Sequence, residues 1–141
     1  MRSAPYARRV YLDEFHAAVA SLTREVALVS ASGELDLHTA GCLEARIEEA
    51  GSVGRDTVVV DLSETSFIDS TALSVLVHET KRLEGRGQAL IVVTNDPRTR
   101  RIVEVAGLSQ RLRTYATLKD ALGDVAGQEP QPTAATIKEP G

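Results

Sequence analysis

The stretch from Thr57 to Leu83 constrains the fold most. Thr57-Val58-Val59-Val60 has the composition of a buried strand. A short polar loop and the apolar pair Phe67-Ile68 follow. Beyond Asp69-Ser70-Thr71 the apolar period changes: Leu73, Leu76, Val77 and Leu83 recur as one side of a helix. Ser70 stands where the loop becomes that helix. A hydroxyl there can cap the helix, and a phosphate there would meet unpaired backbone N–H groups.

The flanking segments repeat the strand-then-helix pattern. Phe15, Ala17 and Val19 alternate, which predicts a strand near residues 15–22, although Leu12, Phe15 and Val19 also suit a helix. Thr23-Arg24-Glu25 reads as a hairpin turn, and Val26–Ser32 as a second strand stopped by Gly33. After the polar connection Gly33–Thr39, the residues Ala40, Leu43, Ile47 and Ala50 predict a first helix over about 39–50, with Gly51 and Gly54 as its stop. The third strand is Thr57–Leu62. The second helix spans about 70–84 and ends at Gly85, expected in the left-handed conformation. Gln88–Thr94 is the fourth strand.

Asn95-Asp96-Pro97 is a helix start, a capping side chain followed by a proline that needs no N–H. Ile102, Val103 and Ala106 are expected to face inward, with Gly107-Leu108 as the C-terminal cap. Arg111–Tyr115 predicts a short edge strand, and Thr117 caps a last helix with Leu118, Ala121, Leu122 and Val125 on one face. The order β-β-α-β-α-β-α-β-α predicts an α/β fold: a mostly parallel central sheet of about five strands with four helices, and an antiparallel strand from the opening hairpin. Residues 1–9 are expected to be a flexible arm, 10–126 the domain, and 127–141 a disordered tail by composition.

Composition removes several function classes. A length of 141 residues suits one domain. A net charge of −4 argues against a nucleic-acid binder, which needs a basic face for phosphates. Arg98, Arg100, Arg101, Arg111 and Arg113 form the one basic run, read as a solvated face or part of a partner surface. Cys42 is the single cysteine, so neither an internal disulfide nor a Cys-based metal cluster is possible. His16, His38 and His78 lack ligand spacing, so no metal site is expected, nor any cofactor. No apolar run approaches the roughly 18 residues of a membrane span. The basic N-terminus lacks the apolar core of a signal peptide, so a cytoplasmic protein without membrane insertion is expected.

Gly33-Glu34-Leu35-Asp36-Leu37-His38-Thr39-Ala40, then Val60-Asp61-Leu62-Ser63 with Phe67-Ile68-Asp69-Ser70-Thr71-Ala72, resemble the anti-sigma factor antagonist family, whose fold is called the STAS domain. Asn95-Asp96-Pro97, Arg101-Ile102 and Ala106-Gly107-Leu108 continue the likeness, which covers about residues 15–125. The resemblance implies a single STAS-like domain acting as a non-enzymatic switch. It implies an anti-sigma factor as partner, often itself a serine kinase, that phosphorylates Ser70 and is thereby released. A serine phosphatase reverses the step, and a sigma factor is freed without this chain touching DNA. One departure is Ala72, where many members carry glycine. Alanine is the better helix former and adds only a methyl.

Each residue of this site has a plainer role beside it. Ser70 by spacing alone is an N-cap, and Thr71 is the alternate acceptor or an exposed first-turn residue. Asp69 orients Ser70 or complements the helix start. Asp36 and Thr39 line the same end of the sheet or cap the first helix. Opposite the buried Leu73, Leu76, Val77, Thr80 and Leu83, the residues Thr71, Val75, His78 and Arg82 form an expected partner-docking stripe, unless a lone exposed valine means nothing.

Other classes fit less well. A phosphoacceptor receiver built on Asp61 would need an acidic pair after the first strand, where Val29-Ser30-Ala31-Ser32 stands, and a lysine near Thr94-Asn95. A hydrolase would need a Gly-x-Ser-x-Gly elbow around Ser70. The main alternative keeps the fold and changes the job: a scaffold, or a subunit of a lipid-transport or signalling complex, without a phospho-switch. A ligand-sensing module lacks a phosphate-cradling glycine loop.

Overall fold

A computed structural model describes residues 15–105, 107 and 112–128. Its elements are β1 (His16–Ser21), β2 (Val26–Leu35), α1 (Ala40–Ser52), β3 (Thr57–Ile68), α2 (Ser70–Glu84), β4 (Ala89–Val93), α3 (Pro97–Val105), β5 (Arg113–Tyr115) and α4 (Leu118–Gln128). The five strands lie in sequence order, β1-β2-β3-β4-β5. The β1–β2 hairpin is antiparallel and every later pairing is parallel. Thr23 builds the hairpin turn, its hydroxyl accepting from the N–H groups of Glu25 and Val26 at 3.1 and 3.0 Å. No helix among the described residues is long and apolar enough to cross a membrane.

Because consecutive strands are neighbours, each crossover steps the same way, and right-handed connections put the intervening helices on one face. Strand alternation feeds both faces. Ala27, Val29, Ala31, Val58, Val60, Leu62, Leu90 and Val92 pack with Leu43, Ile47, Leu76, Leu83 and Val103 of the first three helices. The intervening Val26, Val59, Ile91 and Val93 pack with Ala121 and Val125 of α4 on the other face. Burial on both sides is why the central strands read as unbroken valine and isoleucine runs.

Two strands run further than expected. β2 passes through Gly33 to Leu35, and β3 passes through the polar segment Ser63–Ser66 to Ile68. They extend together, with Ser32 opposite Glu64 and Leu35 opposite Ile68. Register shifts flank Gly33, whose φ of 99° marks the irregularity. Glycine bends the strand there rather than ending it. Their polar side chains gave no apolar signal because this length protrudes beyond the helical cover: Ser63, Glu64 and Ser66 are exposed.

Other differences are local. Gly51 lies inside the last turn of α1 and is buried; a Cβ on it would stand 2.8 Å from Leu83 Cδ2, so glycine is there to let α1 approach α2. Gly85 keeps a helical φ of −64°, and the left-handed turn is taken by Gly87. Ile102 is 41 % exposed rather than inward, while Val103 is buried as expected. Thr117 caps α4 by accepting from Asp120 N–H at 3.0 Å, and α4 continues two residues past the expected boundary at 126. The expected arm at residues 1–9, the tail beyond 128, and the roles of Ala106, Leu108 and Arg111 lie outside the described residues.

Candidate functional site at the C-terminal edge of the sheet

The extended ends of β2 and β3 carry two loops to one edge, where Asp69 N–H donates to the Leu35 carbonyl at 3.2 Å. In open α/β sheets this carboxyl edge is where sites are built. Asp69 is the N-cap of α2: its backbone is extended and its Oδ1 accepts from Ala72 N–H at 3.1 Å. Ser70 is therefore the first helical residue and not the cap. The reason is the spacing: a capping side chain reaches the N–H two or three residues on, and Asp69 already fills that position. Ser70 is exposed, and among the described residues its hydroxyl makes no hydrogen bond. Thr71 beside it is half-buried. The serine hydroxyl is left unbonded because the aspartate takes the capping position.

Asp36 and Thr39 are committed to the turn between β2 and α1. The Asp36 carboxylate accepts from His38 N–H at 2.9 Å and Thr39 N–H at 3.2 Å, and Asp36 N–H donates to Thr39 Oγ1 at 2.9 Å. The Thr39 hydroxyl donates to the Glu34 carbonyl at 2.8 Å. Thr39 is the N-cap residue of α1 without a side-chain cap bond. This turn fixes the loop that lies beside Asp69, and it leaves Leu37 68 % exposed at the same edge. Asp61, by contrast, sits within β3, its carboxylate held by the Ser63 N–H at 3.0 Å and hydroxyl at 2.6 Å.

The solvent face of α2 matches the expected stripe only at His78. Ala72, Leu73, Leu76, Glu79, Thr80 and Leu83 are buried. Ser70, Ser74, His78 and Lys81 are exposed, while Thr71, Val75 and Arg82 are only half-exposed shoulders. Val75 is therefore not an outward apolar anchor. Arg82 is not free either: its Nε lies 3.1 Å from Oε1 of the fully buried Glu79. The buried Glu79 draws Arg82 against the helix through that contact. Reversing Arg82 would strand a buried carboxylate, so it would damage the fold and report nothing about a partner.

A groove of about 470 Å³ opens between α2 and α3, lined by Ser70, Leu73, Ser74, Val77, His78, Lys81 and Ile102. Ser74, Lys81 and Ile102 were missed from sequence. A signal existed for the first two, which fall within 40° of Ser70 at 100° per residue. The groove is apolar along its floor with Lys81 on its wall, and Arg98 lines a smaller recess that shares Ile102. Arg113 belongs elsewhere: with Tyr115 it holds Asp124 of α4, the guanidinium at 2.9 Å and the phenol donating to the same oxygen.

Among the described residues, three carboxyl groups depart from their ordinary values. Burial pushes Glu79 up, with Arg82 opposing and Glu48 and Glu44 adding to the rise. The Arg98 backbone N–H, with the Thr99 hydroxyl and the Arg98 side chain, holds Asp96 down. The Tyr115 hydroxyl and Arg113 hold Asp124 down. A raised folded-state value means that the folded form binds the proton more tightly, so the Glu79 penalty present at neutral pH is relieved as pH falls through that value toward the ordinary 4.5. Asp96 and Asp124 act oppositely, and their contribution is lost only as pH falls below the ordinary 3.8. The melting temperature is expected to rise as pH falls from neutral toward about 4.5, once pH passes the raised Glu79 value, and to fall below about 3.8, with Glu79→Gln flattening the rise. A profile that declines steadily from pH 7 in the parent chain would contradict this.

Residues 17–121 match the family model described as STAS domain. The chain is 36 % identical over 102 residues to the anti-sigma-F factor antagonist RsfB of Mycobacterium tuberculosis, covering 72 % of this chain and 83 % of that one. It superposes on the crystal structure of an anti-sigma factor antagonist from Mycobacterium paratuberculosis with a TM-score of 0.73 and 34 % identity, over 81 % of this chain and 96 % of that one. The anti-sigma factor antagonist SpoIIAA in its unphosphorylated form gives a TM-score of 0.66 at 25 % identity, over 79 % and 97 % of the two chains. The Bacillus SpoIIAA structure in the phosphorylated form gives 0.61 at 25 % identity, over 78 % and 99 %. With the family model running from β1 into the first turn of α4 and relatives matching over most of their length, the chain belongs to the STAS domain family.

Proposed function

We propose that this chain is an anti-sigma factor antagonist switched by phosphorylation at Ser70. Unmodified, it binds an anti-sigma factor with serine-kinase activity through the edge that carries Ser70 and the groove between α2 and α3. Phosphate on Ser70 ends that binding, and a serine phosphatase restores it. The chain needs no catalytic chemistry, no cofactor and no DNA contact, and its work is in the cytoplasm where sigma factors act. The observation that carries the reading is the exposed, hydrogen-bond-free Ser70 hydroxyl beside an Asp69 that already caps the helix.

The energetics favour a switch of surface rather than of fold. Phosphate adds about −1.5 to −2 charges. At a helix N-terminus it is locally favoured by about 0.3–1 kcal/mol. Ala72 supports the same economy, since its N–H is already bonded to Asp69 and its side chain is buried.

The groove is tested by Ile102→Asp. Ile102 stands across the groove from Ser70 and is 41 % exposed, so the substitution leaves the core intact. Affinity for the anti-sigma factor, measured by calorimetry, is expected to fall at least about tenfold, because one apolar contact is lost and one charge is desolvated. Unchanged affinity would move the interface away from the groove.

A further inference from the structure

We propose that Glu44 of α1 with His78 and Glu79 of α2 forms a divalent-cation site suited to Zn²⁺. One ligand atom from each of the three lies within 4.8 Å of the others. The proposal departs from the expectation of no metal site, which rested on histidine spacing alone, whereas these ligands come together from two helices. The proposal does not depend on the phospho-switch.

A cluster of two carboxylates and an imidazole would mean little alone. Glu79 supplies the second observation. Its residue is 0 % exposed, Oε1 accepts from Arg82, and Oε2 is buried with no partner. A buried carboxylate oxygen without a donor is costly, and few natural structures leave one unexplained. The neighbours do not satisfy it: Glu44 and Glu48 are like charges, and Arg82 meets the other oxygen through Nε while its own Nη2 is buried without a partner. A cation between Glu44, His78 and Oε2 would. Glu44 is half-buried, His78 is exposed, and neither makes a hydrogen bond or ion pair among the described residues, so both ligands are uncommitted and the site has an entry from solvent.

The donor set selects the ion class. One imidazole nitrogen and two carboxylates suit Zn²⁺ and its neighbours, with the fourth position left to water. Mg²⁺ and Ca²⁺ prefer oxygen alone. The exposed Cys42, two residues before Glu44 on α1, points about 160° away around the helix and is not a fourth ligand. His78 also lines the groove beside Ser70, so a bound ion would fix the imidazole orientation there and tie α1 to α2.

The test is titration of the untagged full chain with Zn²⁺, read by calorimetry and by melting temperature. One ion per chain is expected, with a rise of roughly 5 °C or more at saturation and none with Mg²⁺. Glu44→Gln and His78→Ala are accessible positions that should fold normally. Each is expected to weaken Zn²⁺ at least about tenfold, since even second-shell changes cost that much. Cys42→Ser should bind like the parent chain. Absence of saturable binding, a loss smaller than tenfold in either ligand variant, or loss in Cys42→Ser would overturn the assignment.

Discussion

Replacing Ser70 by Asp is expected to weaken binding of the anti-sigma factor about a hundredfold, with a melting temperature within a few degrees of the parent chain. One unit charge against another at ~5 Å with an effective dielectric of ~20 is worth about 3 kcal/mol. Each ~1.4 kcal/mol is tenfold in affinity, so a single charge crosses two decades, and a phosphate more. The fold has little reason to object. Ser70 is exposed, its hydroxyl supports no hydrogen bond, and the first turn of α2 carries no acidic residue. Asp69, adjacent, and Asp36 on the neighbouring loop offset part of the helix-terminus gain. Ser70→Ala should bind like the parent chain and be blind to the kinase. Calorimetry with the purified anti-sigma factor separates these outcomes, and an Asp variant that binds normally would mean that the partner does not sense charge at this point.

The largest expected loss of stability is at the contact between α1 and α2. Leu83 is 0 % exposed and its Cδ2 lies where a Cβ on Gly51 would need to be, 2.8 Å away. Leu83→Ala should cost about 2–5 kcal/mol, the transfer term plus the cavity. For a domain of this size that lowers the melting temperature by roughly 10–15 °C. Gly51→Ala alone should cost about 1–3 kcal/mol through overpacking. The double variant should lose clearly less than the two together, because the new methyl enters the space that leucine vacated. Thermal unfolding of the four chains measures the coupling, and strict additivity would show that the two positions do not share that space.

The order of elements was legible because the strands are buried on both faces and the helices on one. Val58–Val60 and Leu90–Val93 carry no polar residue, and Leu43, Ile47, Leu76 and Leu83 recur at helical spacing. What sequence hid was governed by exposure and geometry in three dimensions. The outer halves of β2 and β3 reach the core only through Ala31, Leu35, Leu62 and Ile68, and between these Ser63, Glu64 and Ser66 face water, so Ser63–Ser66 looked like loop. Glu79 shares the buried side of α2 with leucines and is paired to Arg82, and the exposed face keeps His78 of the expected stripe while adding Ser74 and Lys81. Ser70 and Asp69 were both identified, but their division of labour was not. Two adjacent cap-forming residues look alike in sequence, and only the backbone shows that Asp69 takes the cap.

The most direct measurement is the intact mass of the chain before and after incubation with ATP and the cognate anti-sigma factor kinase, for the parent and for Ser70→Ala. The expected result is a gain of one phosphate in the parent and none in the variant, with the phosphorylated chain no longer binding the kinase. Equal gain in both chains would place the modification elsewhere, with Thr71 next, and no gain in either would return Ser70 to an unmodified surface residue and leave the fold serving as a scaffold.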